Sequence, residues 1–293
     1  MREPFPGARE GRPFGTFALI WALPADDRRE IAWIELGDDA TLRARGRQWG
    51  AGDPRYELSY DLETSQGYVT ERLAVSVSGG AELTLLRGRS PELDGVADCD
   101  LGLSPLTNAM PVLRDRLHGN GQAFDIDVAW VSVPDLTVHR DHQIYEPLGG
   151  DRIRFRSPEA GFERHIMLTP DGFVLDYPDI ARLRETIVRI PLGGIDDWDS
   201  FHAVVAAALE LPPHDARGVE AWVDCLMQSD GIPGARRYAV PPGTALTLQL
   251  DGLSTFAERC PAQYAALIGV VGEVNRRRSE HGETALLSLS ASG

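Results

Sequence analysis

Two pairs of carboxylates in this sequence have a spacing that could serve chemistry. Asp98 and Asp100 are two residues apart, so on a β-strand their side chains would share one face. From that face they could accept hydrogen bonds from sugar hydroxyls or act as paired acids. A structural role is equally open, because the same two residues could cap the turn at Ser104–Pro105 and pair with Arg114.

The second pair, Glu220 and Asp224, is four residues apart, which places both carboxylates on one face of a helix. The surrounding segment, residues 195–230, holds eight carboxylates and one arginine, for a net charge of −7. The simplest explanation is a solvated helix face. A field this concentrated would also accelerate the encounter with a cationic protein, so both interpretations stay open. The eight carboxylates are Asp196, Asp197, Asp199, Glu210, Asp215, Glu220, Asp224 and Asp230.

Composition argues against several function classes. The chain has 293 residues, of which 44 are acidic and 29 are basic, so its formal net charge is −15. That length indicates about two domains. Because no basic patch could release counterions from phosphates, we do not expect binding to nucleic acid or to an anionic membrane. No stretch approaches the roughly 20 apolar residues that span a bilayer, and we predict a soluble, cytoplasmic protein.

Metal and cofactor chemistry is not expected either. The three cysteines, Cys99, Cys225 and Cys260, are too few and too scattered for a disulfide framework or a cysteine-rich metal site. Reduced thiols in a cytoplasmic protein are the simpler interpretation. His139 and His142 are three residues apart and would face opposite sides of a strand, which argues against a shared metal. We predict no metal and no cofactor.

The elements that must position Asp98 and Asp100 are strands. From about residue 30 to residue 180 apolar residues recur mostly with period two, and glycine-rich turn signals separate the runs. We predict a mainly antiparallel β domain over residues 30–185, as a barrel or a strongly curved sheet. Residues 1–29 are predicted to be a lead segment or an extra strand. The clearest strands are Tyr56–Leu62, Leu73–Val77, Phe124–Trp130 and Ile153–Arg156.

The elements around Glu220 and Asp224 are helical. Beyond residue 185, apolar residues at helical spacing alternate with short strands, which predicts a small α/β domain with a parallel sheet over residues 186–293. Asp197 or Asp199 can cap the start of its first helix. The predicted strands are Ile187–Leu192, Ala245–Leu250 and Ala285–Leu289.

The C-terminal segment resembles the barstar family of ribonuclease inhibitors over about residues 187–290. The match is carried by Leu211–Pro213, Glu220–Leu226 and Gly282–Ser290. The resemblance implies a three-stranded parallel sheet and a helix whose carboxylate enters a ribonuclease active site in place of substrate phosphate. By position that carboxylate is Asp224, with Glu220 one turn earlier. Trp222 also fits the helix core. The candidate partner-binding residues are Asp224, Glu220, His214, Asp215, Arg217 and Trp222.

The N-terminal segment resembles a glycolipid-binding domain family over about residues 30–185. The match is carried by Leu93–Leu101, Ser104–Pro111, Arg114, Gly161–Glu163 and Asp171–Pro178. The resemblance implies a curved antiparallel sheet similar to the half-barrels of lipoprotein carriers, with a concave apolar face. A concave site with an apolar lining and a few polar groups is the natural ligand position. The candidate ligand-binding residues are Asp98, Asp100, Thr107, Asn108, Arg114 and Tyr177.

Together these features predict a two-domain, non-catalytic binding protein. Its C-terminal domain would be an immunity or inhibitor module of a toxin–antitoxin pair that neutralises a basic nuclease-like toxin. The main alternative is a lipid or glycolipid carrier in which the barstar-like domain is only a scaffold. A third hypothesis is an enzyme acting on a lipid or sugar through Asp98 and Asp100, but the sequence offers no nucleophile and base pair for it.

Overall fold

The computed structural model describes residues 16–23, 27–117, 121–210, 218–227 and 243–292. Within these ranges the chain forms two compact units. Residues up to Leu168, together with Gly172–Arg182, form the first unit, and Thr169–Asp171 with the residues from Leu183 onward form the second. The predicted partner-binding residues His214, Asp215 and Arg217 lie outside the described residues, as do most of residues 1–29.

The described part of the first unit consists of strands and one short helix. Its elements are β1 (Phe17–Leu23), β2 (Arg28–Gly37), β3 (Thr41–Gly50), β4 (Tyr56–Ser65), β5 (Val69–Val77), β6 (Glu82–Leu86), β7 (Asp98–Leu101), α1 (Ala109–Arg114), β8 (Phe124–Val131), β9 (Val138–Gly149), β10 (Arg152–Ser157), β11 (Phe162–Leu168) and β12 (Val174–Tyr177).

These strands form a large open sheet. One antiparallel run has the order β6-β5-β4-β3-β2-β1, and a second has the order β12-β11-β10-β9-β8. The short strand β7 adds to β8 in parallel, pairing Asp98 with Val128 and Asp100 with Trp130. Because β6 and β7 end the order, the sheet of described strands is not closed. This confirms the mainly β prediction for the N-terminal part and excludes the closed barrel.

The period-two pattern sets the core of this unit. Alternate residues such as Ala32 and Ile34 on β2, or Leu58 and Leu62 on β4, are almost completely buried. Each such aliphatic side chain contributes roughly 1.5–3 kcal/mol when it leaves water. The indole of Trp21 is also fully buried, and its Nε1 donates a hydrogen bond of 2.7 Å to the carbonyl of Val174. That bond fastens β1 to the start of β12.

The second unit has helices and a small sheet. Strand β14 pairs in parallel register with β13 on one side and β15 on the other. Strand β13 begins in the first unit, where Arg182 pairs with Asp176 of β12. The elements are β13 (Ala181–Pro191), α2 (Trp198–Ala208), α3 (Val219–Met227), β14 (Ala245–Asp251), α4 (Leu253–Arg259), α5 (Pro261–Glu280) and β15 (Leu287–Ser292).

Local signals explain the helices of this unit. Asp197 caps α2, since its carboxylate accepts the Ser200 backbone N–H at 2.8 Å while the Ser200 hydroxyl accepts the N–H of Asp197. This confirms one of the two predicted caps, and such a cap contributes about 1 kcal/mol. Phe201 on α2 packs against Trp222 on α3, with ring centroids 5.2 Å apart. Among the helices within the described ranges, none has the length and apolar character that crossing a membrane requires.

Candidate functional site

A cavity of about 430 Å³ in the first unit has the features of a small-molecule site. That size lies in the usual range for ligand pockets, which are mostly apolar with a few convergent polar groups. Its lining combines four aromatic side chains with polar ones, three of which are carboxylates. The aromatic residues are Trp130 on β8, Phe155 on β10, Phe162 on β11 and Tyr177 on β12. The polar residues include Asp100, Asn108, His139, Arg140, Asp141, Gln143, Ser157 and Glu159.

Asp100 is the most constrained acid of the cavity. Strand β7 directs it toward β9, where the Gln143 side-chain amide donates to its Oδ2 at 2.7 Å. The Thr107 hydroxyl donates to its Oδ1 at 2.8 Å. Burial raises the pKa of Asp100 to about 6, and the negative charges of Asp141 and Asp98 act in the same direction. The carboxyl group is therefore held in one orientation and changes its protonation just below neutral pH.

Gln143 connects Asp100 to other polar residues of the cavity. Its Nε2 also donates to Asp141 at 3.1 Å, and its Oε1 accepts the Tyr145 hydroxyl at 3.0 Å. The Asn108 amide in turn donates to that hydroxyl at 3.1 Å. Asp141, Gln143 and Tyr145 are alternate residues of β9 and so lie on the same face. The outcome is a rigid network in which two carboxylates share one amide donor.

The other predicted acid has a different role. Asp98 is 1% exposed and forms a two-pronged ion pair with Arg114 of α1, with nitrogen–oxygen distances of 3.0 and 2.6 Å. It is not among the residues that line the cavity. Of the two interpretations offered by the sequence, pairing with Arg114 describes Asp98, whereas Asp100 faces the cavity.

A second buried acid, Glu30, lies at the start of β2 and is 2% exposed. Its Oε1 accepts the hydroxyls of Tyr60 at 2.7 Å and Ser104 at 2.8 Å, and its Oε2 accepts the Gln48 amide at 3.3 Å. Burial raises the pKa of Glu30 to about 7, against the effect of these three donors. Because Ser104 also lines the cavity, its hydrogen bond to Glu30 helps to fix the cavity lining.

In the second unit, the predicted acidic contacts lie on α3. Glu220 and Asp224 are both exposed, one turn apart on the same helix face. Asp224 pairs with Arg277 of α5 at 3.0 Å, and Arg277 also contacts Glu273 at 2.6 Å. The predicted acidic surface is thus partly neutralised by the unit's own helix α5.

Trp222 is not available as a contact residue. It is 1% exposed and packs its ring against Phe201 and His202, at centroid distances of 5.2 and 5.0 Å. The physical reason is helical periodicity, because Trp222 lies on the face of α3 opposite to the exposed carboxylates. The prediction that Trp222 contacts a partner is therefore wrong, since Trp222 belongs to the core of the unit.

Two further sequence expectations concern histidines and cysteines. His139 lines the cavity and stacks on Trp130 with centroids 6.2 Å apart, while His142 bonds Asp127 at 2.9 Å. Among the residues the structure describes, no three acids, histidines or cysteines are grouped to hold a metal ion. All three cysteines are buried, and burial raises the pKa of the Cys99 thiol to about 12.

Comparison with known families agrees with this division of the chain. The family model described as "Putative glycolipid-binding" matches residues 18–183, which is more than half of the chain. The protein belongs to this glycolipid-binding family. The barstar (barnase inhibitor) family model matches residues 185–290. Both resemblances inferred from the sequence are thereby confirmed.

Matches to individual proteins are sparse. No curated protein matches the chain. The crystal structure of a DUF1089 family protein from Pseudomonas aeruginosa matches with 24% sequence identity and a TM-score of 0.45. The match covers 55% of this chain and 94% of that one.

Within the glycolipid-binding segment, the structure gathers most of the predicted ligand residues. Asp100, Asn108 and Tyr177 line the cavity, and Thr107 supports Asp100. Sequence reasoning missed other important polar residues, chiefly Glu30, Gln48, Asp141 and Gln143. A signal exists for three of them. Glu30 and Gln48 occupy inward positions in strands whose alternate neighbours are buried, as Glu30 does before Ala32 and Ile34, and Gln143 alternates with the buried Tyr145.

Proposed function

We propose that the protein binds an apolar molecule with a hydroxyl-bearing head group, such as a glycolipid, in the cavity of the first unit. The observation that carries this proposal is that four aromatic rings and three carboxylates line the same cavity. The aromatic rings would cover an acyl chain or the apolar face of a sugar ring. The membership of the chain in the glycolipid-binding family supports the same ligand class.

The polar residues that line the cavity favour a neutral head group over an anionic one. A carboxylate offers about four acceptor positions, and the hydrogen bonds that Thr107 and Gln143 donate to Asp100 leave others for ligand hydroxyls. Asp141 and Glu159 add further acceptors. Arg140, the arginine that lines the cavity, already donates a hydrogen bond to the backbone carbonyl of Asp94 at 2.7 Å. A phosphate head group would therefore face mainly like charges.

The test compares two ligands with the same tail. We expect octyl glucoside to bind the full-length protein in calorimetry, and octyl phosphate to bind more weakly. Asp100→Asn should weaken octyl glucoside binding, whereas Glu63→Gln, which changes an exposed acid on β4, should not. Native mass spectrometry of the purified protein should show a co-purified lipid. The proposal fails if neither detergent binds and the cavity is empty by mass spectrometry.

A second candidate function is inhibition of a basic nuclease-like toxin by the second unit, as an immunity protein. The match to the barstar family over residues 185–290 and the exposure of Glu220 and Asp224 support it. The parallel pairing of β14 with β13 and β15 suits the three-stranded sheet that this family implies. These carboxylates would take the place of substrate phosphate before the cationic groups of a nuclease, as close charge pairs at interfaces can do.

This candidate is tested by RNA cleavage. Barnase and a panel of other basic bacterial ribonucleases would be assayed with and without the protein. We expect inhibition of at least one nuclease, reduced by Glu220→Gln and Asp224→Asn but not by Glu258→Gln, an exposed acid of α4. If every nuclease remains active, or the two variants inhibit as well as the parent, this function is wrong.

For both units we propose binding without catalysis, in the cytoplasm. In the cavity the Ser157 hydroxyl donates to the Asp141 carboxylate at 2.6 Å, and not to a histidine that could activate it. The buried, unreactive thiols suit a reducing compartment. Absence of hydrolysis during incubation with octyl glucoside would support this view, and release of glucose would contradict it.

A further inference from the structure

A second and larger groove, of about 990 Å³, lies on strands β2, β3 and β4 of the first unit. Its floor is formed by side chains such as Ile31, Trp33 and Arg47, whose positions alternate with the buried ones. Neither the cavity function nor the acidic helix uses this groove. Its remaining lining residues include Arg45, Trp49, Arg55, Tyr56, Glu57, Ser59, Asp61 and Ser78.

Two half-buried tryptophans mark the ends of the groove floor. Trp33 pairs with Arg45 across β2 and β3, whereas Trp49 pairs with Arg29, four residues from Trp33 along β2. At about 3.4 Å per residue, the two indoles are separated by roughly 13 Å along the strand direction and lie on one face. Two large aromatic side chains left partly open to solvent on one face are the informative kind of exposed apolar surface.

Between the tryptophans the floor offers both donors and acceptors. Arg45 donates through Nε to Asp61 at 2.8 Å, and Arg47 approaches Glu57 at 3.8 Å. Cross-strand charge pairs of this kind also stabilise a sheet. Here, however, they line a groove between two aromatic platforms, and Ser59 adds a hydroxyl at its centre. Because the charges are largely balanced, the groove favours neither a strongly anionic nor a strongly cationic occupant.

The strands that carry the groove are also fixed by hydrogen bonds on their core side. The Tyr56 hydroxyl donates to Gln48 at 3.1 Å, and Gln48 is fully buried and bonded to Glu30. The Tyr56 ring lies against Gly50, where an added Cβ would come within 2.8 Å of it. Tyr56 shares its strand face with the buried Leu58 and Leu62, so this network fixes the strands from the core side, opposite to the side chains of the groove floor.

We propose that this groove binds an extended, neutral oligosaccharide. The C–H groups on one face of a sugar ring would pack on the negative faces of Trp33 and Trp49. Its hydroxyls, each both donor and acceptor, match the mixture of arginines, carboxylates and Ser59 along the floor. A proline-rich peptide also fits aromatic grooves, but it would offer mainly carbonyl acceptors and no hydroxyl groups to donate to Glu57 and Asp61.

The experiment uses calorimetry on the full chain with neutral hexasaccharides, namely maltohexaose, cellohexaose and laminarihexaose. We expect at least one to bind. Trp33→Ala and Trp49→Ala should each lower its association constant by about tenfold, the loss of one stacking contact. Trp198→Ala, which removes an exposed tryptophan of the second unit, should leave the constant unchanged. Thermal melting of each variant verifies that it folds.

A second variant keeps the test decisive if a tryptophan variant does not fold. Ser59→Tyr fills the centre of the floor without touching the core, and it should abolish hexasaccharide binding. The proposal is overturned if no neutral hexasaccharide binds, if Ser59→Tyr binds as tightly as the parent, or if only oligogalacturonate or a decaproline peptide binds. The cavity function is tested separately, with octyl glucoside and the Asp100→Asn variant. A failure of the groove proposal is therefore distinguishable from a failure of the cavity function.

Discussion

The carboxylates of the two units are held in opposite ways. In the first unit Asp98 and Glu30 are buried and Asp100 is half-buried, and each accepts hydrogen bonds from donors within about 3.3 Å. In the second unit the side chain of Asp224 is 63% exposed, and Arg277, its partner at 3.0 Å, is itself partly exposed. Buried acids are costly unless they are bonded, whereas exposed acids are solvated by water.

This difference separates two kinds of recognition. A small ligand gains most from acids that are already fixed and dehydrated, because few groups then have to be ordered on binding. A cationic protein partner is attracted by exposed charge, which acts over a distance and accelerates the encounter. Under the two proposed functions, carboxylates would act as rigid hydrogen-bond acceptors in the cavity and would attract a cationic partner from the exposed face of α3.

The largest expected effect is on the buried ion pair. Arg114→Ala leaves Asp98 buried without its partner, and we expect the free energy of unfolding in urea to fall by about 3–5 kcal/mol. Arg152→Ala, at an exposed position of β10, is the control and should change little. Replacing both Asp98 and Arg114 by leucine should recover part of the loss. A loss for Arg114→Ala no larger than that of the control would break the contrast between the two units.

The next effect is on the pH dependence of stability through Glu30. Its pKa rises from 4.5 to about 7 on folding, so the folded state keeps a proton that the unfolded chain releases. The resulting stability is complete below about pH 4.5 and is lost as the pH rises through 7, a change of about 3 kcal/mol. Glu30→Gln should flatten this slope in urea unfolding across that range, whereas Glu63→Gln should preserve it. An unchanged slope in Glu30→Gln would show that Glu30 is ionised in the folded protein.

The sequence predicted local arrangements of these carboxylates better than their long-range contacts. Local spacing correctly placed Asp98 and Asp100 on one strand and Glu220 and Asp224 on one helix face. It could not assign partners, because Gln143 is 43 residues from Asp100 and Ser104 is 74 residues from Glu30. Such pairings depend on the order of strands in the sheet, which period-two patterns do not encode.

Trp222 illustrates the opposite error. It lies between Glu220 and Asp224 in the sequence, and the barstar resemblance suggested a contact role for an aromatic residue beside Asp224, although Trp222 also fitted the helix core. Helical geometry turns it inward against Phe201, a residue 21 positions away along the chain. The helical period already indicated this inward position, whereas no count of the period would have revealed that Arg277 pairs with Asp224.

A smaller effect is expected on ligand affinity. The pKa of Asp100 is about 6, so lowering the pH from about 8 to about 5 protonates it and removes an ionised acceptor from the cavity. We expect octyl glucoside affinity to fall by about tenfold over this range, the contribution of one hydrogen bond to a charged group. Asp100→Asn should bind weakly but almost independently of pH. If the parent's affinity does not change with pH, Asp100 does not contact the head group.

The smallest effect is expected at the exposed pair of the second unit. Arg277→Ala removes the partner of Asp224, but water replaces it, and Glu273 keeps Arg276 at 2.7 Å. We therefore expect the free energy of unfolding to match that of Arg152→Ala, and any difference to disappear at high salt. The same change removes a positive charge beside Asp224, so association with a nuclease that the parent inhibits should become faster at low salt. A large loss of stability in Arg277→Ala would mean that this pair supports the fold as the buried pair does, and the distinction between the two sets of carboxylates would fail.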